Sequence, residues 1–171
     1  MIQIFDLLGI HPNQQKESAS MDLINAVVKQ RSTKEPQEIE ELDKTRENKK
    51  CLPGVIIPDS IHFTTKAEDA VNGADVIVLA VASPYTRSTA RLFAPFVKEG
   101  QYIVNVGKGI EEETLETLYD VVSDEIPNAT LAVLSGPSHA EEVGRGIPTT
   151  CVIGTKHKKD ADYLQNIFMS D

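Results

Sequence analysis

Val76-Ile-Val-Leu-Ala-Val-Ala82 carries no polar side chain on either side of its alternation, and it is bounded by Gly73 before and Ser83-Pro84 after. An amphipathic helix or a half-exposed strand would show a polar stripe. A run this short, continuous and β-branched predicts a strand covered on both faces, which is the condition of a strand inside a parallel sheet. A parallel sheet in turn requires a crossover after each strand, so a helix should follow at once. Ser83 is placed to cap it and Pro84 suits its first position. Leu92, Phe93, Phe96 and Val97 then supply an apolar stripe, and Gly100 a stop.

The same unit recurs downstream. Tyr102-Ile-Val-Asn-Val-Gly107 reads as a second strand. Behind it, Glu111-Glu-Glu113 would complement the dipole of a helix buried through Leu115, Leu118, Tyr119, Val122 and Ile126. Thr130 to Leu134 reads as a third strand, and Ser138-His-Ala-Glu141 has the form of a capping box opening another helix. Thr149 to Ile153 reads as a fourth strand, and Asp160 to Phe168 as a final helix buried through Ala161, Leu164, Ile167 and Phe168. Strands alternating with helices across short links predict an α/β fold with a parallel sheet and right-handed crossovers. Upstream, Ile61-His-Phe63 predicts a short strand and Glu68 to Val71 a short helix.

The first 50 residues are less regular. Ile2, Ile4 and Phe5 suit a strand, and His11 to Ser20 a loop. Met21, Ile24, Val27 and Val28 fit an amphipathic helix, and Pro36 to Arg46 a solvated one held by Ile39 and Leu42. The 171 residues carry a net charge of −9, which disfavours a broad nucleic-acid or anionic-membrane surface. A small anion remains compatible, because a few N–H groups and one lysine can hold it locally. Cys51 and Cys151 match no metal or redox spacing. No run approaches the length of a membrane span, and the start lacks the basic and apolar regions of a signal peptide, so the cytoplasm is the expected compartment.

Ligands of open parallel sheets bind beyond the carboxyl ends of the strands. Three small or polar clusters are predicted there: Ser83-Pro84, Gly107-Lys108-Gly109 and Ser135-Gly136-Pro137-Ser138. Lys108 is the only cation among them, flanked by glycines that let a ligand approach, although a surface lysine in a tight turn fits equally well. Ser138 suits an N-cap, a role compatible with ligand contact. His139 has no carboxylate partner by spacing. His11, His62 and His157 belong to no constellation. Glu111–Glu113 and Glu141-Glu142 suit helix starts better than acid–base pairs, since adjacent residues do not share a helix face.

Five segments in register carry a resemblance: Asn48-x-x-x-Leu52-Pro-Gly54, Gly73-Ala-Asp-Val-Ile-Val78, Lys108-Gly-Ile110, Leu134-Ser-Gly-Pro-Ser138-x-Ala-Glu-Glu-Val143 and Ile147-Pro-Thr-Thr150. Each alone is weak. Together, from near Pro36 onward, they resemble the nucleotide-binding domain of bacterial-type NAD(P)-dependent glycerol-3-phosphate dehydrogenase. The resemblance implies a Rossmann-like parallel sheet with flanking helices over residues 36–171, incomplete at both ends. It implies NAD or NADP as cofactor, hydride exchange between dihydroxyacetone phosphate and sn-glycerol 3-phosphate, a part in phospholipid synthesis, and a homodimer when a C-terminal domain is present. It assigns Lys108 to catalysis and to contacts with cofactor and substrate, Gly136 and Ser138 to substrate, and Ala140 to cofactor.

The departures are specific. His139 and Cys51 stand where the family usually has aromatic residues, and Ala82 where it commonly has proline. Residues 1–35 hold one glycine, Gly9, where the family has a G-x-G-x-x-G turn, so they are expected to form a divergent segment in place of the first βαβ unit. The family's catalytic lysine lies in a helical C-terminal domain with no counterpart in residues 1–171, so this chain alone is expected to be inactive. The alternatives are a non-catalytic anion- or nucleotide-binding pseudoenzyme, a gene fragment, or, more distantly, a dehydrogenase acting on another hydroxy acid.

Overall fold

The computed structural model describes residues 25–27, 35–49, 52–59 and 61–169, with side chains from residue 39 onward. The expectations for Ile2–Phe5, His11–Ser20, the turn around Gly9, and Cys51 lie outside the described residues.

Four strands form the main sheet in the order β3 (Val76–Leu79), β4 (Tyr102–Asn105), β5 (Thr130–Ser135), β6 (Val152–Thr155). The first three are parallel, with Val76 beside Tyr102 and Tyr102 beside Thr130. A second, two-stranded parallel sheet joins β1 (Asn25–Val27) to β2 (His62–Thr64). The helices are α1 (Glu35–Thr45), α2 (Ala67–Val71), α3 (Thr86–Phe93), α4 (Leu118–Glu125), α5 (Ala140–Gly144) and α6 (Lys158–Phe168).

The main sheet is covered on both faces, as its apolar strands require. On one face Ile77, Leu79, Ile103 and Leu131 pack with Ala67 and Val71 of α2, Ala90 and Phe93 of α3, and Val122 of α4. On the other, Ala80, Val104, Val106, Ala132 and Leu134 pack around Leu164 of α6, which is fully buried. The Tyr102 hydroxyl donates to Asp160 Oδ1 at 2.9 Å, fastening the start of α6 to the start of β4. That bond, with burial added, pushes the Tyr102 pKa up.

Several local expectations are corrected. The predicted amphipathic helix over Met21–Val28 gives way at Asn25–Val27 to β1. A run of three residues is too short for periodicity to assign, and here pairing with β2 decides. Strand β6 runs antiparallel to β5, not parallel. The connection between them holds only the five-residue α5, and it folds straight back over Gly136, where a Cβ would lie 2.3 Å from Thr150 O.

Ser83 does not cap α3. It opens a 3-10 turn, Ser83–Tyr85, whose N-cap is Ala82, and Pro84 sits in that turn. The buried face of α3 is Thr86, Thr89, Ala90 and Phe93, leaving Leu92 exposed. The helix gives way to a second 3-10 turn containing Pro95, which lacks an N–H, well before Gly100. Arg46 leaves α1 at φ 52 instead of ending it as a helical residue. From there its guanidinium donates to the carbonyls of Ile57, Pro58 and Ile61 and lies 4.8 Å over the Phe63 ring. One side chain thereby fixes the loop leading into β2.

Candidate functional site

The parallel strands β3, β4 and β5 end on one edge, and the three predicted clusters follow them. The ladder continues briefly past the strands, since Val106 N–H donates to Leu79 O at 3.0 Å. Gly107 then sits where a Cβ would be 2.8 Å from Val81 O, and its N–H donates to Asn105 Oδ1 at 3.2 Å. Gly109, at φ 110, turns the chain in a region closed to L side chains and lies beside Ser83. This tight turn presents Lys108 outward.

Lys108 crosses to the end of β5. Its Nζ donates to Gly136 O at 2.9 Å and to Ser138 Oγ at 3.3 Å, and the Ser138 hydroxyl lies 3.4 Å from the same carbonyl. An ammonium has three donors, so one remains for a ligand. Ala140 begins α5, half-buried, two residues past Ser138. Lys108, Gly136 and Ser138 are thus brought into one hydrogen-bonded cluster, with Ala140 close by in the chain.

Two expectations at these helix starts are overturned. The N-cap of α5 is His139, whose carbonyl accepts from Glu142 and Val143 N–H. Ser138 is therefore not the cap, because its hydroxyl faces Gly136 O and Lys108 instead. Glu111–Glu113 do not open a helix either. They lie in a loop closed by an antiparallel bridge between Ile110 and Thr117, and α4 starts after Thr117, whose Oγ1 accepts Asp120 N–H at 3.3 Å. Leu115 sits at φ 61 with its side chain exposed, outside the helical stripe predicted for it.

Glu111 has a different partner. Arg87, in the first turn of α3, grips both its carboxylate oxygens at 2.7–3.1 Å. The same guanidinium reaches Glu116 and Glu125, each at 2.8 Å, and Arg91 holds the other oxygen of Glu125 at 2.8 Å. Hydrogen bonds from Arg87, reinforced by Thr114, hold the Glu111 carboxyl down at about 2. Arg91 and then Arg87 lower that of Glu125, and these carboxylates raise both arginines. The network ties the segment after Lys108 to α3 and α4. Sequence reading missed it because Arg87 lies 24 residues from Glu111 and 38 from Glu125. Asn105 was missed too, although a lone amide in an aliphatic strand was its signal.

The family model for the N-terminus of NAD-dependent glycerol-3-phosphate dehydrogenase matches residues 23–161. The chain belongs to this family. Relatives named glycerol-3-phosphate dehydrogenase (NAD(P)+) agree: one from Agathobacter rectalis is 57% identical over 134 residues, covering 78% of this chain and 40% of the relative. One from Fusobacterium nucleatum is 48% identical over 136 residues, with 78% and 41% covered. The chain therefore spans about two fifths of the length of the curated relatives it matches. Among solved structures, a glycerol-3-phosphate dehydrogenase from Coxiella burnetii superposes with a TM-score of 0.73 at 22% identity, covering 80% of this chain and 42% of that one. One from Dunaliella salina gives 0.76 at 20%, covering 85% and 28%. These likenesses establish the Rossmann-like fold. NAD or NADP is the cofactor that the family and its relatives name. The match also takes in β1, within the segment expected to diverge.

Proposed function

We propose that the chain supplies the nucleotide-binding part of a glycerol-3-phosphate dehydrogenase, with the three strand ends as the floor on which cofactor and substrate phosphate meet. The observation that carries this is the reach of Lys108 from the end of β4 to Gly136 O and Ser138 Oγ at the end of β5. Residues assigned to one ligand by resemblance alone are neighbours in space.

The donor chemistry fits an anionic ligand. Lys108 offers its third N–H where cofactor and substrate phosphate meet, while the Gly136 carbonyl and the Ser138 hydroxyl hold the ammonium in place. Ser138 Oγ adds a second polar contact on the same side. Ala140, small and at the first position of α5, borders the cofactor without filling its space. A bound nicotinamide supplies or accepts the hydride exchanged between dihydroxyacetone phosphate and sn-glycerol 3-phosphate. The segment around Gly9, which stands where the family has its pyrophosphate-binding turn, falls outside the described residues.

Residues 36–171 form the Rossmann-like unit in this proposal, with 1–35 in the place of the first βαβ unit. The proposal includes a cytoplasmic homodimer handling a small phosphate ester; the net charge of −9 supports only its lack of a nucleic-acid partner. Among the described residues, no helix is long and apolar enough to cross a membrane. Calorimetric titration with NADH, NADPH and then sn-glycerol 3-phosphate tests the proposal. Saturable micromolar cofactor binding, weakened about tenfold or more by Lys108→Ala, is the expected result. For the 171-residue chain alone, binding without turnover is expected. Robust turnover abolished by Lys108→Ala would overturn that expectation, and a folded chain binding none of the three would overturn the proposal.

A further inference from the structure

Strand β4 reads Tyr102-Ile-Val-Asn105, ending in an amide where its neighbours are aliphatic. Asn105 is 3% exposed and lies between Leu79 and Val133 in register. By alternation it shares a face with Ile103, on the side covered by α2, α3 and α4. A carboxamide buried there is costly unless both its ends find partners, whereas an aliphatic side chain would carry no such cost. Only one end is satisfied among the described residues: Oδ1 accepts Gly107 N–H at 3.2 Å, and Nδ2 has no acceptor. Packing does not explain the choice of residue. The bond to Gly107 does, because a side-chain oxygen accepting the N–H two residues on shapes the backbone as an Asx-turn.

That turn begins the segment bearing Lys108. Gly107 is confined from other directions as well, since a Cβ there would meet Val81 O at 2.8 Å and Leu118 Cδ1 at 3.2 Å. The next residue is Lys108, whose reach to Gly136 O depends on where Gly107 leaves the strand. We infer that Asn105 is a positioning residue for Lys108, setting the exit of β4 so that the ammonium meets the end of β5. Its consequence for ligand binding rests on the role proposed above for Lys108; its consequence for the geometry does not.

The test uses the 15N-labelled chain with Asn105→Ala and Asn105→Ser, the serine keeping an acceptor on a shorter arm. Three signals are read: exchange of the Gly107 amide proton, the side-chain ammonium resonance of Lys108, and the affinity for NADH. In Asn105→Ala, Gly107 exchange should quicken about tenfold or more, the Lys108 resonance should be lost, and NADH binding should weaken about tenfold. Asn105→Ser should recover part of each, and it carries the same test where the alanine variant is too unstable to label. The Val104 amide, in the same strand, should stay protected throughout. Equal loss of protection at Val104 and Gly107 with the Lys108 resonance intact means a packing role only and overturns the inference. So does unchanged NADH affinity alongside an unchanged Lys108 signal. A wild-type chain that binds no NADH, while Gly107 and Lys108 respond as stated, removes the proposed function and upholds the positioning.

Discussion

A methyl group added at Gly136 would stand 2.3 Å from Thr150 O, 3.1 Å from Cys151 Cα and 3.3 Å from Cys151 Sγ. The first two are backbone atoms of the segment entering β6, so no side-chain rotation relieves the collision. An ordinary carbon–oxygen contact needs about 1 Å more than the space allows, and the β5–β6 crossing must open to provide it. Overpacking of this kind typically costs about 1–3 kcal/mol, and a clash with backbone on the return strand belongs at the upper end, about 3 kcal/mol. Against a stability of about 5–15 kcal/mol for an ordinary domain, that is a large loss. The substitution also moves the carbonyl that receives Lys108, so ligand affinity should fall with it.

Two other glycines make the experiment self-calibrating. At Gly107 the nearest atom to an added methyl is Val81 O at 2.8 Å, which places Gly107→Ala lower, at about 1–2 kcal/mol. At Gly154, within β6, nothing lies within 4 Å and φ is ordinary. There alanine should be neutral or stabilise by about 0.4–1 kcal/mol through the unfolded chain. The chain has no tryptophan, so urea unfolding followed by far-ultraviolet circular dichroism is the assay, with midpoints compared at constant slope. The expected order of loss is Gly136, then Gly107, then Gly154. Gly136→Ala within about 0.5 kcal/mol of wild type, or Gly154→Ala as damaging as Gly136→Ala, would refute the steric account.

Acid titration examines the Arg87 network. Glu111 is held at about 2 against an ordinary 4.5 and Glu125 is also lowered, so their contribution is full above about 4.5 and is lost as pH falls toward about 2. In Arg87→Gln the carboxylates repel one another, so that variant should be less stable at neutral pH and lose less, or recover, through the same window; parallel acid-unfolding curves would exclude this. Leu164→Ala, at a fully buried position on α6, should cost about 2–5 kcal/mol of unfolding free energy in urea titration, and a loss below about 0.5 kcal/mol would mean that α6 does not anchor the second sheet face.

The parts of the fold visible in the sequence are those encoded over one strand or one helix. Val76–Leu79 is unmistakable because burial on both faces leaves no polar position, and Leu164 with its neighbours because the spacing holds to one helix face. What escaped was decided by partners elsewhere in the chain. Asn25–Val27 carries too few residues for any period to show, and its state follows from lying beside His62–Thr64. The reversal at β6 follows from the close crossing at Gly136, a contact made by the absence of a side chain.

Helix starts illustrate the same division at the site. Ser138-x-x-Glu141 and Glu111–Glu113 have the local chemistry of helix starts, yet Ser138 and Glu111 each had a competing partner that local spacing cannot reveal. Ser138 faces Lys108 from 30 residues away, and Glu111 faces Arg87 from 24. An N-cap bond contributes about 1 kcal/mol, so it cannot hold a side chain against a bidentate guanidinium or a nearby ammonium. Where a capping residue also lies at the carboxyl end of a parallel strand, the tertiary partner should therefore be given first consideration. The helix then starts one or more residues later on whatever backbone remains, as it does after His139 and after Thr117. The displaced cap is in that sense a signature of the site: a polar side chain drawn away from its local bond marks where the strand ends have converged.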